Sequence, residues 1–184
     1  MSTLGVNQAH LCGQSIGGMI SLETTFLFPK FVKSLALIAT TSAFGGKDET
    51  FKERFISARL KPLDEGLAIQ DLAKKFIPEI VGSRATKFVK DQAIESMSKV
   101  SSETYRDIIR CLVTFNRRDQ IKDLDVPCCL ISGDEDANAP ARTMKKMADT
   151  IPNSEYHNIV GAGHLTNLEA VSYTHLTLPT ILLV

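Results

Sequence analysis

The chain reads as an α/β fold: a mostly parallel sheet with helices on both faces and a helical insertion between two of its strands. Three observations carry this. Residues 34–40 (Ser-Leu-Ala-Leu-Ile-Ala-Thr) and 126–132 (Val-Pro-Cys-Cys-Leu-Ile-Ser) are near-continuous apolar runs, the composition of strands buried on both faces of a parallel sheet. Segments with helical spacing separate successive strand-like runs, and strand–helix–strand alternation implies parallel pairing. From Lys47 to Asp123 the periodicity turns helical, charges become frequent and no strand pattern interrupts. With 184 residues, 43% of them hydrophobic, the chain is long enough for one domain with a real core.

In order, residues 1–8 resemble the tail of a helix that stops at Gly5. Residues 9–14 form a strand, and residues 16–28 a helix closed by Pro29. The strand at 34–40 follows, then a loop at 41–46 ending in Gly45-Gly46. Between 47 and 123, Phe51, Phe55 and Ile56 share one helical spacing and Leu67, Leu72 and Phe76 another. Pro62, Pro78 and Gly82 are expected to break this stretch into short helices, and Ser101-Ser102-Glu103 starts a further one. The strand at 126–132 runs into Gly133-Asp134-Glu135-Asp136. Pro140 then opens a helix through Met147, and a strand at 156–160 ends in Gly161-Ala162-Gly163-His164. The organisation is a core at 1–46 and 124–170, a helical cap at 47–123 and a tail at 171–184.

The chemistry centres on Gly13-Gln14-Ser15-Ile16-Gly17, where the first strand meets the first helix. Gly-x-Ser-x-Gly in that setting puts the serine on a strained corner with its hydroxyl exposed at the sheet end. Gly13 and Gly17 are expected to be bare because a side chain at either would clash across the corner. The Ile16 N–H, at the helix N-terminus, is placed to bind an oxyanion. In parallel sheets functional residues gather beyond the C-terminal strand ends. Ser15, the acidic pair Asp134 and Asp136, and His164 follow three different strands, and Asp136 and His164 are 28 residues apart, room for one helix and one strand. A serine hydroxyl needs a neighbouring base to become a nucleophile. His164 is that base, oriented by an acid. His10 and His157 lie inside strand runs and read as structural.

Lys+Arg and Asp+Glu balance at 21 each, which points away from nucleic acid and anionic membranes as partners. The pairs Lys145-Lys146 and Arg117-Arg118 read as solvated helix faces. The four cysteines form no Cys-x-x-Cys; Cys12, Cys128 and Cys129 lie in apolar runs and read as buried thiols of a reducing compartment. Met1-Ser2-Thr3-Leu4-Gly5 has no secretion-signal pattern and no stretch approaches transmembrane length. A cytoplasmic protein acting on a small molecule is expected.

These residues resemble the α/β-hydrolase fold superfamily, through Gly13 to Met19, through Val126-Pro127 to Asp136 with Pro140, and through Gly161-Ala162-Gly163-His164-Leu165-Thr166-Asn167-Leu168-Glu169. The resemblance implies a Ser15–Asp136–His164 triad, because in family members the acid falls three residues after the glycine, which selects Asp136 over Asp134. It implies no metal and no organic cofactor. Within the superfamily the helical insertion and the Ala-Gly-His-Leu-x-Asn-Leu-Glu ending most resemble 3-oxoadipate enol-lactonase-like ester hydrolases. Hydrolysis of a carboxylic ester or lactone through an acyl-enzyme is then expected, with specificity in residues such as Phe44, Phe51 and Phe55. The alternatives are a C–C bond hydrolase, a perhydrolase, or a non-catalytic ligand-binding relative. Ser15 argues against relatives with an aspartate nucleophile.

The sequence departs from the family at both ends. Family members carry strands before the elbow strand, with a loop that supplies a second oxyanion N–H. Their absence suggests a C-terminal fragment of impaired activity. Val171 to Thr180, with His175 among them, resembles a translated sequencing adapter rather than the family's last helix, so 171–184 is expected to be a non-native tail.

Overall fold

The computed structural model describes residues 3, 5–45 and 50–171, together with the backbone alone at Glu49. The tail 172–184, and the expectations made for it, lie outside these residues. Of residues 1–8, Thr3 is in a 3-10 turn and Gly5 stands at φ 64°, the left-handed conformation expected of a helix stop, and residues 6–8 lead irregularly into the first strand.

Four strands, β1 (Ala9–Gln14), β2 (Val32–Ile38), β3 (Cys128–Gly133) and β4 (Ser154–Ile159), pair in the order β1-β2-β3-β4, all parallel. The register aligns Gln14 with Ile38 and Ile38 with Ile131, so the residues that follow β1, β2 and β3 emerge at one edge of the sheet. Helix α1 (Ile16–Leu27) joins β1 to β2, and four helices then intervene: α2 (Glu49–Asp64), α3 (Ile69–Ile80), α4 (Lys87–Ser98) and α5 (Ser102–Leu112). Helix α6 (Ala141–Thr150) joins β3 to β4, and a single turn, α7 (Thr166–Glu169), follows β4.

Successive strands step in one direction, so crossovers of one hand bring α1 and α6 to the same face. Their core includes Leu22, Leu35, Leu37, Leu130, Met144 and Met147. Because strand side chains alternate, Ile38, Cys129 and Ile131 point to the other face, where Ala162 and Ala170, flanking α7, cover them. Cys12 also points away from α1. As β1 is the edge of the described sheet, that thiol is exposed, against the expectation that it is buried. Cys128 and Cys129 are buried, which pushes both thiols up to about 12.

Helices α2, α3 and α5 hold a separate core of Leu60, Leu63, Leu72, Tyr105 and Ile109. The stretch divides into short helices as expected, but the breaks fall just after Pro62 and Pro78 rather than at them. Each sits two residues before a helix end, in α2 and α3, where little ladder remains to disrupt. The α2 stop is Gly66 at φ 90°. An isolated antiparallel bridge between Ala43 and Asn116 is the one strand-type pairing into this segment among the described residues. No helix among the described residues is long and apolar enough to cross a membrane.

Candidate active site

Ser15 stands at the corner between β1 and α1 with φ 53° and ψ −117°, a conformation that costs about 1–3 kcal/mol and persists only when its surroundings enforce it. They do so through two hydrogen bonds. The Ser15 N–H donates to the Ile38 carbonyl at 2.9 Å, and the Thr40 hydroxyl donates to the Ser15 carbonyl at 2.7 Å. A Cβ on Gly13 would overlap the Gly17 carbonyl, as expected. At Gly17 the expectation fails: a Cβ there would meet nothing within 4 Å. The second tight position is Gly18, whose Cβ would lie 2.7 Å from Thr40 Cβ. The corner is narrow between the Gly13 α-carbon and the first helical turn, and between that turn and β2, while the side of Gly17 is open.

His164 reaches the serine across 149 positions of sequence: its Nε2 is 2.8 Å from Ser15 Oγ. Its Nδ1 is 2.8 Å from Asp136 Oδ2. With a carboxylate accepting at Nδ1 the ring proton belongs there, which leaves Nε2 to accept from the serine hydroxyl. The Asp136 carboxylate is fully buried, and its Oδ1 accepts from the N–H groups of Asn138 at 2.7 Å and Ala139 at 3.0 Å. Asp134 does something else: its Oδ1 accepts from the Gly161 N–H at 2.6 Å and ties the two loops together. Ile16 is the first residue of α1, so its N–H belongs to those a helix leaves without an internal acceptor, and no backbone hydrogen bond among the described residues uses it. Gln14 donates to the His164 carbonyl at 2.8 Å. His10 and His157 stay apart from this group; His10 Nδ1 lies 2.8 Å from Ser34 Oγ and His157 faces Glu155 at 3.7 Å.

Two residues whose part in the site the sequence reasoning did not see hold the histidine loop. Glu169 is buried, and its carboxylate accepts from three backbone N–H groups: Gly82 at 2.7 Å, Gly163 at 3.0 Å and Leu165 at 3.1 Å. Glu135, beside the acid, accepts from the Ser83 N–H and hydroxyl, both at 2.7 Å; these bonds hold its carboxyl below the usual range. The His164 N–H itself donates to Ile80 at the end of α3 at 2.7 Å. Residues 80–84 are therefore stitched to both loops, and Gly82 and Gly163 pack too closely for a Cβ on either. For Glu169 the available signal was an acid five residues after the histidine, with no basic residue nearby in sequence.

Ser15 and His164 open onto a cavity of about 1390 Å³. Phe44, Phe51 and Phe55 form one aromatic wall, with Phe44 and Phe55 edge to face at 4.7 Å between ring centres. Ile77, Met97 and Ile109 continue it. Among the described residues no cluster of three or more His, Cys, Asp or Glu is arranged to hold a metal ion.

The chain is similar to known proteins along almost all of its length. The alpha/beta hydrolase fold family matches residues 1–171. RutD of Stutzerimonas stutzeri, named as a candidate carbamate hydrolase, is 23% identical over 172 residues, which is 91% of this chain and 63% of RutD. The chain thus spans less than two thirds of that relative. Among solved structures, a thermophilic esterase from Thermogutta terrifontis superposes with a TM-score of 0.87 at 22% identity, covering 98% of this chain and 67% of the esterase. The enol-lactonase from Burkholderia xenovorans superposes with a TM-score of 0.87, also at 22% identity, covering 99% and 68%. These superpositions carry the fold. The match over 1–171, the parallel sheet and the serine corner lead to one conclusion: this chain belongs to the alpha/beta hydrolase fold family.

Proposed function

We propose that the protein is a serine hydrolase of carboxylic esters or lactones, working through an acyl-enzyme. The observation that carries this is the unbroken relay from Ser15 Oγ through both ring nitrogens of His164 to Asp136, at 2.8 Å on each side, at the wall of an apolar cavity. Ser15 attacks the carbonyl carbon while His164 Nε2 takes its proton. Asp136 orients the ring and stabilises the imidazolium. The negative oxygen of the tetrahedral intermediate is received by the Ile16 N–H. Nε2 then returns the proton to the departing alcohol oxygen and the carbon–oxygen bond breaks, leaving the acyl group on Ser15. Water, deprotonated by His164 Nε2, attacks that acyl group; the bond to Ser15 Oγ then breaks as Nε2 returns the proton to Oγ, which releases the carboxylic acid and restores the serine.

Residues 47–123 act in this reading as a cap. Its helices wall the cavity, and Phe44, Phe51 and Phe55 select the substrate's shape. The likeness to an enol-lactonase favours a cyclic or small enol ester; peroxide-dependent and β-diketone assays separate this reading from perhydrolysis and C–C bond hydrolysis.

The test is labelling with a fluorophosphonate, which needs only an activated serine. The label is expected on Ser15 by peptide mass spectrometry, and absent in Ser15→Ala and His164→Ala. Ser15→Ala should lower kcat on 4-nitrophenyl acetate by about 10⁴-fold. Label elsewhere, or undiminished hydrolysis in Ser15→Ala, overturns the reading.

A further inference from the structure

The loop that carries Asp136 leaves β3 after Gly133 and re-enters regular structure at Ala141, the first residue of α6. Its first limb is tied from several sides. The Asp134 and Glu135 N–H groups donate to the Ile159 and Ala162 carbonyls, and both side chains accept from backbone N–H groups of other segments. The second limb, residues 137–141, supplies the Asn138 and Ala139 N–H groups that hold Asp136 Oδ1. Among the described residues, the one hydrogen bond from this limb to the sheet is made by the Tyr156 hydroxyl, which donates to the Ala141 carbonyl at 3.0 Å. Tyr156 lies opposite Leu130 in the β3–β4 register and packs against the core that α6 covers. Ser132, two residues beyond Leu130, shares that face and is fully buried. Its hydroxyl is 2.7 Å from the phenol oxygen and 2.9 Å from Asn158 Oδ1. The phenol proton goes to Ala141, so the Ser132 proton is shared between the phenol oxygen and Asn158. One phenol thus spans both ends of the loop, from the residue four before Asp136 to the residue five after it.

We propose that Tyr156 is a positioning residue for Asp136: by fixing Ala141 to the end of β3 it sets the second limb, and through that limb the direction of the carboxylate. The Asn138 and Ala139 N–H groups determine where Oδ1 sits, and Oδ2, on the same carboxylate, is then aimed at His164 Nδ1. Without the phenol hydroxyl the limb drifts, Oδ1 follows its donors, and Oδ2 turns away from the ring. The proposal rests on the hydrolase reading above for its kinetic consequence. The fold supplies its own control. The other end of α6 is tied to β4 by a bond of the same kind, the Ser154 hydroxyl donating to the Ala148 carbonyl at 2.7 Å. That tie is in the last turn of the helix, away from the acid loop.

Tyr156→Phe and Ser154→Ala test it as a pair, since each removes one hydroxyl-to-carbonyl tie between β4 and α6. Both should lower the urea midpoint. Only Tyr156→Phe should lower kcat on 4-nitrophenyl acetate, by about ten- to a hundredfold with KM unchanged, and slow fluorophosphonate labelling of Ser15 in step. On an Asp136→Asn background Tyr156→Phe should slow labelling no further, because the group it positions is already disabled. Native kcat in Tyr156→Phe, an equal fall in both variants, or a full penalty on the Asp136→Asn background overturns the proposal. A second measurement needs no substrate. The proton between His164 Nδ1 and Asp136 Oδ2 is shared by an imidazole and a carboxylate at 2.8 Å, and in the proton NMR spectrum it falls far downfield of ordinary N–H groups. It should stand at the native position in Ser154→Ala and move upfield or broaden away in Tyr156→Phe. An unmoved resonance in Tyr156→Phe, or the same change in both variants, overturns the proposal whatever the kinetics. A native chain that neither hydrolyses the ester nor takes the label would sink the hydrolase reading, and the resonance would still decide Tyr156.

Discussion

Replacing Glu169 with glutamine should damage both the fold and the site, and the structure allows the size of the damage to be worked out. Oε2 accepts from Gly82 and Gly163, and Oε1 from Leu165. A glutamine presents one oxygen. Turned toward Gly82 and Gly163, it sets its own NH₂ against the Leu165 N–H and leaves that donor without a partner, a loss of about 1–3 kcal/mol when buried. The two surviving bonds also fall from charge-assisted to neutral, about 1 kcal/mol together or somewhat more. The sum is about 2–4 kcal/mol, a large share of the 5–15 kcal/mol typical of a domain, and it should appear as a lower urea midpoint. The catalytic consequence is separate. Gly163 and Leu165 flank His164, so loosening both lets the imidazole drift from Ser15. A misplacement of about 1 Å costs on the order of 10²-fold. We expect kcat on 4-nitrophenyl acetate to fall by about that factor with little change in KM, and fluorophosphonate labelling of Ser15 to slow in step. An unchanged midpoint would refute the hydrogen-bond argument. A lowered midpoint with native kcat would show that Glu169 holds the fold without positioning His164.

Two comparisons extend the reasoning. Asp136→Asn should reduce kcat severely, by about 10⁴-fold, whereas Asp134→Asn keeps an oxygen for the Gly161 N–H and should be mild; steady-state kinetics that rank them the other way would reassign the acid. Gly13→Ala should prevent folding or shift the corner, because its Cβ overlaps the Gly17 carbonyl, while Gly17→Ala meets open space and should stabilise α1 by about 0.5–1 kcal/mol. Thermal unfolding of the two variants checks both signs.

The parts of this protein that its sequence determined alone are those specified within a few residues. The apolar stretches Leu35–Ile38 of β2 and Cys128–Ile131 of β3 select strands buried on both faces because no polar residue interrupts either. Gly13-Gln14-Ser15-Ile16-Gly17 encodes a strand–turn–helix corner locally, while the positive φ of Ser15 is enforced by hydrogen bonds to Ile38 and Thr40 on the next strand and loop. The order of those runs then dictates a singly directed parallel sheet, and with it the edge where Ser15, Asp136 and His164 meet. Tertiary structure decided what depends on contacts between distant segments. Asp134 and Asp136 are two residues apart and chemically alike; only the positions of Gly161 and His164 give one a backbone N–H and the other an imidazole. Gly18 rather than Gly17 carries the second steric demand because Thr40 lies against it. Glu169 gathers donors from two loops, one of them 87 positions away. Local sequence sets a residue's secondary structure through its own backbone and nearest neighbours. Its partners are set by packing, which brings together atoms whose separation along the chain carries no trace of their distance in space.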